Sequence, residues 1–114
     1  MTSAVETPGV DAVFRALADP TRRRVVERLS AGQASVTELA APFDMALPSF
    51  LQHLGVLESC GLVSSRKAGR VRTYTLAPQR LEQAETWLAA QRSLWERRLD
   101  RLDAYLLELK EKRK

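Results

Sequence analysis

Apolar positions recur at helical spacing through the first half of the chain. Val10, Val13, Phe14, Leu17 and Ala18 predict a short first helix. Asp19-Pro20 restarts the chain: Asp19 can cap the next helix, and Pro20 fits its first position, where no N–H is needed. That second helix turns Val25, Val26 and Leu29 inward and stops near Gly32. Ser35-Val-Thr-Glu38 then has the form of a capping box, and Leu39, Ala40 and Phe43 supply a buried face. Pro42 keeps this third helix short. After a turn at Asp44–Ala46 a fourth helix carries Pro48 in its first turn and the stripe Phe50, Leu54, Leu57, with Gly61 placed to end it.

The period changes at Leu62. Leu62 to Lys67 and Val71 to Leu76 are strand-like runs joined across Ala68-Gly69-Arg70, a hairpin. Beyond Pro78 the longest element runs from about Arg80 to Leu109. Leu81, Leu88, Trp95, Leu102 and Leu109 recur every seven residues, flanked by Ala84, Leu99 and Leu106. Thirty residues make ~45 Å of helix, against a radius of gyration of ~13 Å for a domain of this size. Such a stripe needs a partner, and a second copy of the chain is the simplest one. A kinked helix packed back on its own protomer is the alternative.

Charge sharpens this picture. The 114 residues carry a net +4, but unevenly. Residues 1–60 hold five bases and seven acids, residues 81–114 eight and seven, and residues 61–80 five bases with no acid. The positive excess therefore sits on the hairpin, in Arg66, Lys67, Arg70 and Arg72, as a nucleic-acid contact requires. A solvated basic hairpin would have the same composition. Hydrophobic content of 45% suits a globular chain, no apolar run reaches the ~18 residues of a membrane span, and the first residues lack a secretory signal's order. With one cysteine there is no internal disulfide and no Cys-cluster zinc site. These features predict a soluble, cytoplasmic protein without a cofactor.

Two short helices joined by a tight turn and followed by a basic hairpin describe a winged helix-turn-helix. The expected architecture is mainly α with a small β-hairpin: a flexible arm over residues 1–9, the DNA-binding unit over 10–78, and a long dimerisation helix over 79–114. A major groove ~12 Å wide admits the fourth helix, while the hairpin sets its cations on phosphates or in the adjacent minor groove.

Four segments, in order, resemble the arsenic-repressor type (ArsR/SmtB-like) of bacterial transcriptional regulators. They are Phe14-Arg-Ala-Leu-Ala-Asp-Pro-Thr-Arg-Arg-Arg24, Val36-Thr-Glu-Leu-Ala40, Gln52-His-Leu-Gly-Val-Leu-Glu58 and Gly61-Leu-Val63. The resemblance covers about Val10 to Leu76, and the last helix matches in position and length. It implies a homodimer on double-stranded DNA that represses by blocking polymerase and lets go when an effector binds. It also puts the first and last helices at the dimer interface, which here means Val13, Leu81, Leu88, Trp95, Leu99, Leu102 and Leu106. Phenolic-acid-repressor (PadR-like) regulators also use a long last helix, but the first and third segments argue against them.

Departures from the family pattern matter equally. Where Ser-Gln-Pro-Ala-Val-Ser is common before Gln-His-Leu, this chain has Ala46-Leu-Pro-Ser-Phe-Leu51, and Gly55 replaces a frequent Lys. Base reading is left to Leu47, Ser49, Leu51 and Gln52, with Gln52 suited to adenine and the leucines to thymine methyls. Inward packing of Leu47 or Leu51 is the competing reading. His53 either donates to a phosphate or anchors the helix-turn-helix internally. The family's usual thiolate segment reads Thr37-Glu-Leu-Ala-Ala41, and the last helix has no histidine. Glu96, Asp100 and Asp103 would suit only a weak hard-cation site, so no transition-metal sensing is expected.

Cys60 reads as a small residue closing the fourth helix, with an intersubunit bridge as the alternative. Seven residues put His53 about 10 Å from Cys60 along a helix, too far for a nucleophile–base pair, and no other catalytic motif stands out. An enzyme is not expected. Trp87 and Trp95 fit core and dimer packing, or an apolar effector cavity near the dimer axis; an effector's identity stays open. Two further readings compete: a winged helix whose basic wing meets an acidic protein, and an oligomerisation module built on the long helix alone.

Overall fold

Local capping chemistry divides the first half of the chain into helices. The structure, a computed structural model, describes residues 8–113. Most of the expected N-terminal arm, residues 1–7, lies outside the described residues. Helix α1 (Pro8–Leu17) starts two residues ahead of Val10, with a proline at its first position as the N1 rule favours. Asp19 then caps α2 (Pro20–Ser30), its side chain accepting from the Arg22 N–H at 3.2 Å. Ser35 and Glu38 close the capping box of α3 (Val36–Ala40), with bonds of 3.2 and 2.8 Å satisfying two orphan N–H groups.

Helix α4 (Leu47–Ser59) begins at Ala46 without a side-chain cap. Its end is firmer. The Leu62 N–H bonds Leu57 O at 3.0 Å and the Gly61 N–H bonds Glu58 O at 3.1 Å, the two bonds of a Schellman motif. Gly61 sits at φ +83°, and a Cβ there would lie 2.9 Å from Arg80 Nε and 3.0 Å from Arg80 Cγ. Gly61→Ala is therefore expected to lose at least ~1–2 kcal/mol, a fall of several degrees in melting temperature by circular dichroism. An unchanged melting curve would contradict this account of the helix end.

Strands β2 (Val63–Ala68) and β3 (Val71–Leu76) form the expected hairpin, with Gly69 at φ +64° in its turn. A short strand β1 (Ala34–Ser35) joins it, pairing Ala34 with Tyr74 and Ser35 with Thr73, so the sheet runs β1-β3-β2, antiparallel throughout. The sequence reading did not contain β1, because two residues cannot display an alternating pattern. One core gathers residues from every element up to the start of α5, with Phe50, Leu39, Leu54, Leu57, Leu62, Val13 and Val25 its largest fully buried side chains. Val13 was expected at a dimer interface. It is instead 0% exposed within its own protomer, beside Ala16 on the inward face of α1, and has no side-chain surface left for a partner.

Helix α5 (Pro78–Lys112) is unbroken over 35 residues, about 52 Å. The chain divides into two compact units after Ala84. The first turns of α5 belong to the first unit, with Ala84 buried and Leu81 packed against the core. In the second unit, from Glu85 on, no described side chain is buried. Leu88, Trp95, Leu99, Leu102 and Leu106 are between 48% and 60% exposed, far more than isolated core-forming leucines would be.

Candidate nucleic-acid interface

The stripe Phe50, Leu54, Leu57 turns one side of α4 into the core and so fixes what the other side presents. Leu47 (52% exposed), Ser49, Leu51 (43%) and Gln52 all face outward. Both leucines thus point away from the core, and two apolar and two polar side chains line the N-terminal half of the helix. The turn before α4 is held from behind. The Phe43 and Phe50 rings meet at 5.2 Å and 35°, and the Arg24 guanidinium lies 4.6 Å from the centre of the Phe43 ring.

Arg22 ties α4 to the α1–α2 corner. Its guanidinium donates to Ala16 O at 2.7 Å and to Arg15 O at 3.3 Å, and lies 3.1 Å from His53 Nδ1. Arginine only donates, so in this contact Nδ1 stands as the acceptor. His53 Nδ1 is also 3.9 Å from Asp19 Oδ1. Partial burial alone would raise the Asp19 carboxyl. The Arg22 N–H, the His53 ring, the Thr21 N–H and the Arg22 guanidinium outweigh that and hold it below its usual range. Of the two roles open to His53, the structure displays the internal one; it is a half-buried brace and does not share the outward face of Gln52.

Cross-strand register separates the wing cations that the sequence grouped together. Ser65 opposes Tyr74 and Lys67 opposes Arg72, on the face that buries Val63 and Tyr74. Arg66 opposes Thr73 on the other face, where Gln33, Ser64, Ala68, Thr73 and Thr75 help to line a polar cleft of about 350 Å³. Arg70 lies in the turn. All four cations are exposed, but they point in three directions, because alternate strand residues face opposite ways.

One polar chain crosses from α4 to the wing. Ser65 Oγ donates to Glu58 Oε2 at 2.8 Å and accepts from Arg72 Nη1 at 2.8 Å. Burial and the Glu58 carboxylate push the Tyr74 phenol up, against smaller pulls from Arg72 and Ser65. Sequence reasoning named Arg72 without its partners and missed Arg22 and Arg24 altogether. The one usable signal was Glu58, an acid just ahead of an acid-free basic segment.

Cys60 is buried, its thiol donating to Leu57 O at 3.4 Å, in keeping with a residue that closes the helix. Among the described residues no three His, Cys, Asp or Glu side chains gather as metal ligands, and no helix is long and apolar enough to cross a membrane. Trp87 and Trp95 are 47% and 60% exposed, and the hollow of about 400 Å³ beside Trp95 is lined by Gln91, Arg92, Leu94 and Arg98.

Residues 17–66 match the family model of a helix-turn-helix domain. Over 76 residues the chain is 45% identical to the HTH-type transcriptional regulator Rv2034 of Mycobacterium tuberculosis, covering 67% of this chain and 71% of that one. The crystal structure of an ArsR family transcriptional regulator is 52% identical, with a TM-score of 0.75 over 78% of this chain and 92% of its own. A homodimeric winged helix-turn-helix DNA-binding domain from Mycobacterium bovis, solved in solution, is 26% identical, with a TM-score of 0.62 over 86% and 88%.

Proposed function

The chain belongs to the ArsR-like winged helix-turn-helix transcriptional regulators, DNA-binding proteins rather than enzymes, and on that premise we propose that it is a homodimeric repressor of a near-palindromic operator that does not sense a transition metal. One observation carries the reading of the DNA contact: Leu47, Ser49, Leu51 and Gln52 face outward on α4, beside a wing that α4 holds through Glu58 and Ser65. In that reading α4 enters the major groove, Gln52 recognises adenine, and the leucines touch thymine methyls. Arg66, Lys67 and Arg70 meet phosphates.

The half-exposed stripe on α5 supports a second copy as its partner. The homodimeric relative supports it too. A two-fold dimer then implies two half-sites about one helical turn apart, and occupying them blocks polymerase. The absence of cysteine from residues 37–41 and of histidine from α5 supports a function without a transition metal. A cytoplasmic location follows from acting on the chromosome. A small-molecule effector fits this scheme without being specified by any residue.

Gln52→Ala tests the direct-readout component. A bidentate amide–adenine pair contributes ~1–3 kcal/mol of discrimination, so preference at one base position in each half-site should fall about tenfold or more. The check is a set of dissociation constants over singly substituted duplexes. An unchanged preference at every position would remove Gln52 from base reading.

A further inference from the structure

Glu58 is out of place electrostatically on a nucleic-acid-binding surface. It lies in the last turn of α4, exposed, and the twenty residues after Ser59 and Cys60 contain five bases and no acid. A carboxylate there repels phosphates unless it serves another group. The geometry names that group. The single Ser65 hydroxyl proton goes to Glu58 at 2.8 Å, which leaves the oxygen's lone pairs free to accept from Arg72 at 2.8 Å. Donor and acceptor therefore run in one direction, from guanidinium through hydroxyl to carboxylate, and both charged ends strengthen the bonds. Arg72 shares a sheet face with Ser65 and Lys67, the face turned toward α4, whereas Arg66 is on the opposite face and Arg70 is in the turn.

We propose that Glu58, Ser65 and Arg72 form a latch that fixes the wing's pose on the recognition helix and withholds the Arg72 charge from DNA phosphates. Glu58 is then a positioning residue for specificity: it trades sequence-independent charge attraction for a wing held at one angle to α4. The wing meets phosphates with Arg66, Lys67 and Arg70, and Arg72 is a spectator while Glu58 is charged. This rests on the reading of α4 and the wing as a DNA contact.

The test is a double-mutant cycle read as the salt dependence of duplex binding, because a structural loss alone does not change the number of phosphates neutralised. Each neutralised phosphate contributes about −0.9 to the slope of log K against log salt. In the otherwise native dimer, Arg72→Gln should leave that slope within about 0.3 of its starting value. Glu58→Gln, whose amide oxygen still accepts from Ser65, should steepen it by about 0.9 and lower discrimination against scrambled duplex several-fold. Adding Arg72→Gln to Glu58→Gln should restore the original slope. A DNA-free readout accompanies this: in nuclear magnetic resonance, the hindered guanidinium rotation of Arg72 in the native chain should be lost in Ser65→Ala. If Arg72→Gln flattens the slope by about 0.9 in the native background, Arg72 already sits on a phosphate and the latch is overturned. The latch is equally overturned if Arg72→Gln has no effect in either background, or if its guanidinium rotates freely in the native chain. A native dimer that binds no duplex while Arg72 stays hindered would instead refute the DNA-binding reading alone.

Discussion

Aspartate at both Leu99 and Leu106 is expected to convert the proposed dimer into monomers. The two leucines lie seven residues apart on α5 and are 48% and 52% exposed in the single chain, in a stripe with Leu88, Trp95 and Leu102. Burying a leucine contributes ~1.5–3 kcal/mol, and two-fold symmetry doubles the loss from each substitution. Four carboxylates brought together across the axis add repulsion. Dimer dissociation should rise by at least ~10³, or ~4 kcal/mol, as measured by sedimentation equilibrium. Operator affinity should fall by ~10²–10⁴, because two linked half-site contacts become independent ones. The substituted positions are exposed in the protomer, so the unit up to Ala84 should keep its structure. A double variant that still sediments as a dimer would place the interface elsewhere.

Glutamine at Arg66, Lys67 and Arg70 together is expected to produce the second large effect. These cations are exposed, and substitutions at such sites ordinarily move stability by only ~0.5 kcal/mol. Binding should respond strongly. If each cation neutralises one phosphate, the slope of log K against log salt flattens by about 2.7, and affinity at low salt falls by about 10³. The loss should be nearly the same for operator and for scrambled duplex, since phosphates carry no sequence. Register adds an order among the three. Arg66 faces away from α4, opposite Thr73, so its single replacement should flatten the slope least. An unchanged slope in the triple variant would leave the wing without a role in DNA binding and favour an acidic protein as its partner.

Much of the fold was legible because it rests on local rules. Asp19-Pro20, Ser35 with Glu38, and Gly61 each mark a helix end through the chemistry of a few neighbouring residues, and all three act in the structure as their spacing implies. Where elements meet, the sequence fell silent. Arg22 and His53 are 31 residues apart, and nothing in either residue type announces that one side chain braces the other. The Glu58–Ser65–Arg72 chain needs the strand register and the exit angle of α4 to be known together.

Periodicity also misleads at the edge of a core. Leu47 keeps helical spacing with Phe50, Leu54 and Leu57, yet it occupies the first turn of α4 and is 52% exposed. Val13 errs in the opposite direction. The resemblance assigned its whole helix to an interface, while α1 turns Val13 and Ala16 into the protomer's own core. Family likeness places an element, and packing decides which of its faces is free.

The most direct test of the central claim compares one enriched duplex with its scrambled counterpart. The duplex is selected from a random pool with purified protein, and both are titrated by fluorescence anisotropy at near-physiological salt. A sequence-specific dimer is expected to bind the selected duplex ~10³-fold or more tightly, and that duplex should contain two related half-sites about ten base pairs apart. Equal binding to both, with no recurring sequence enriched, would contradict specific recognition by α4.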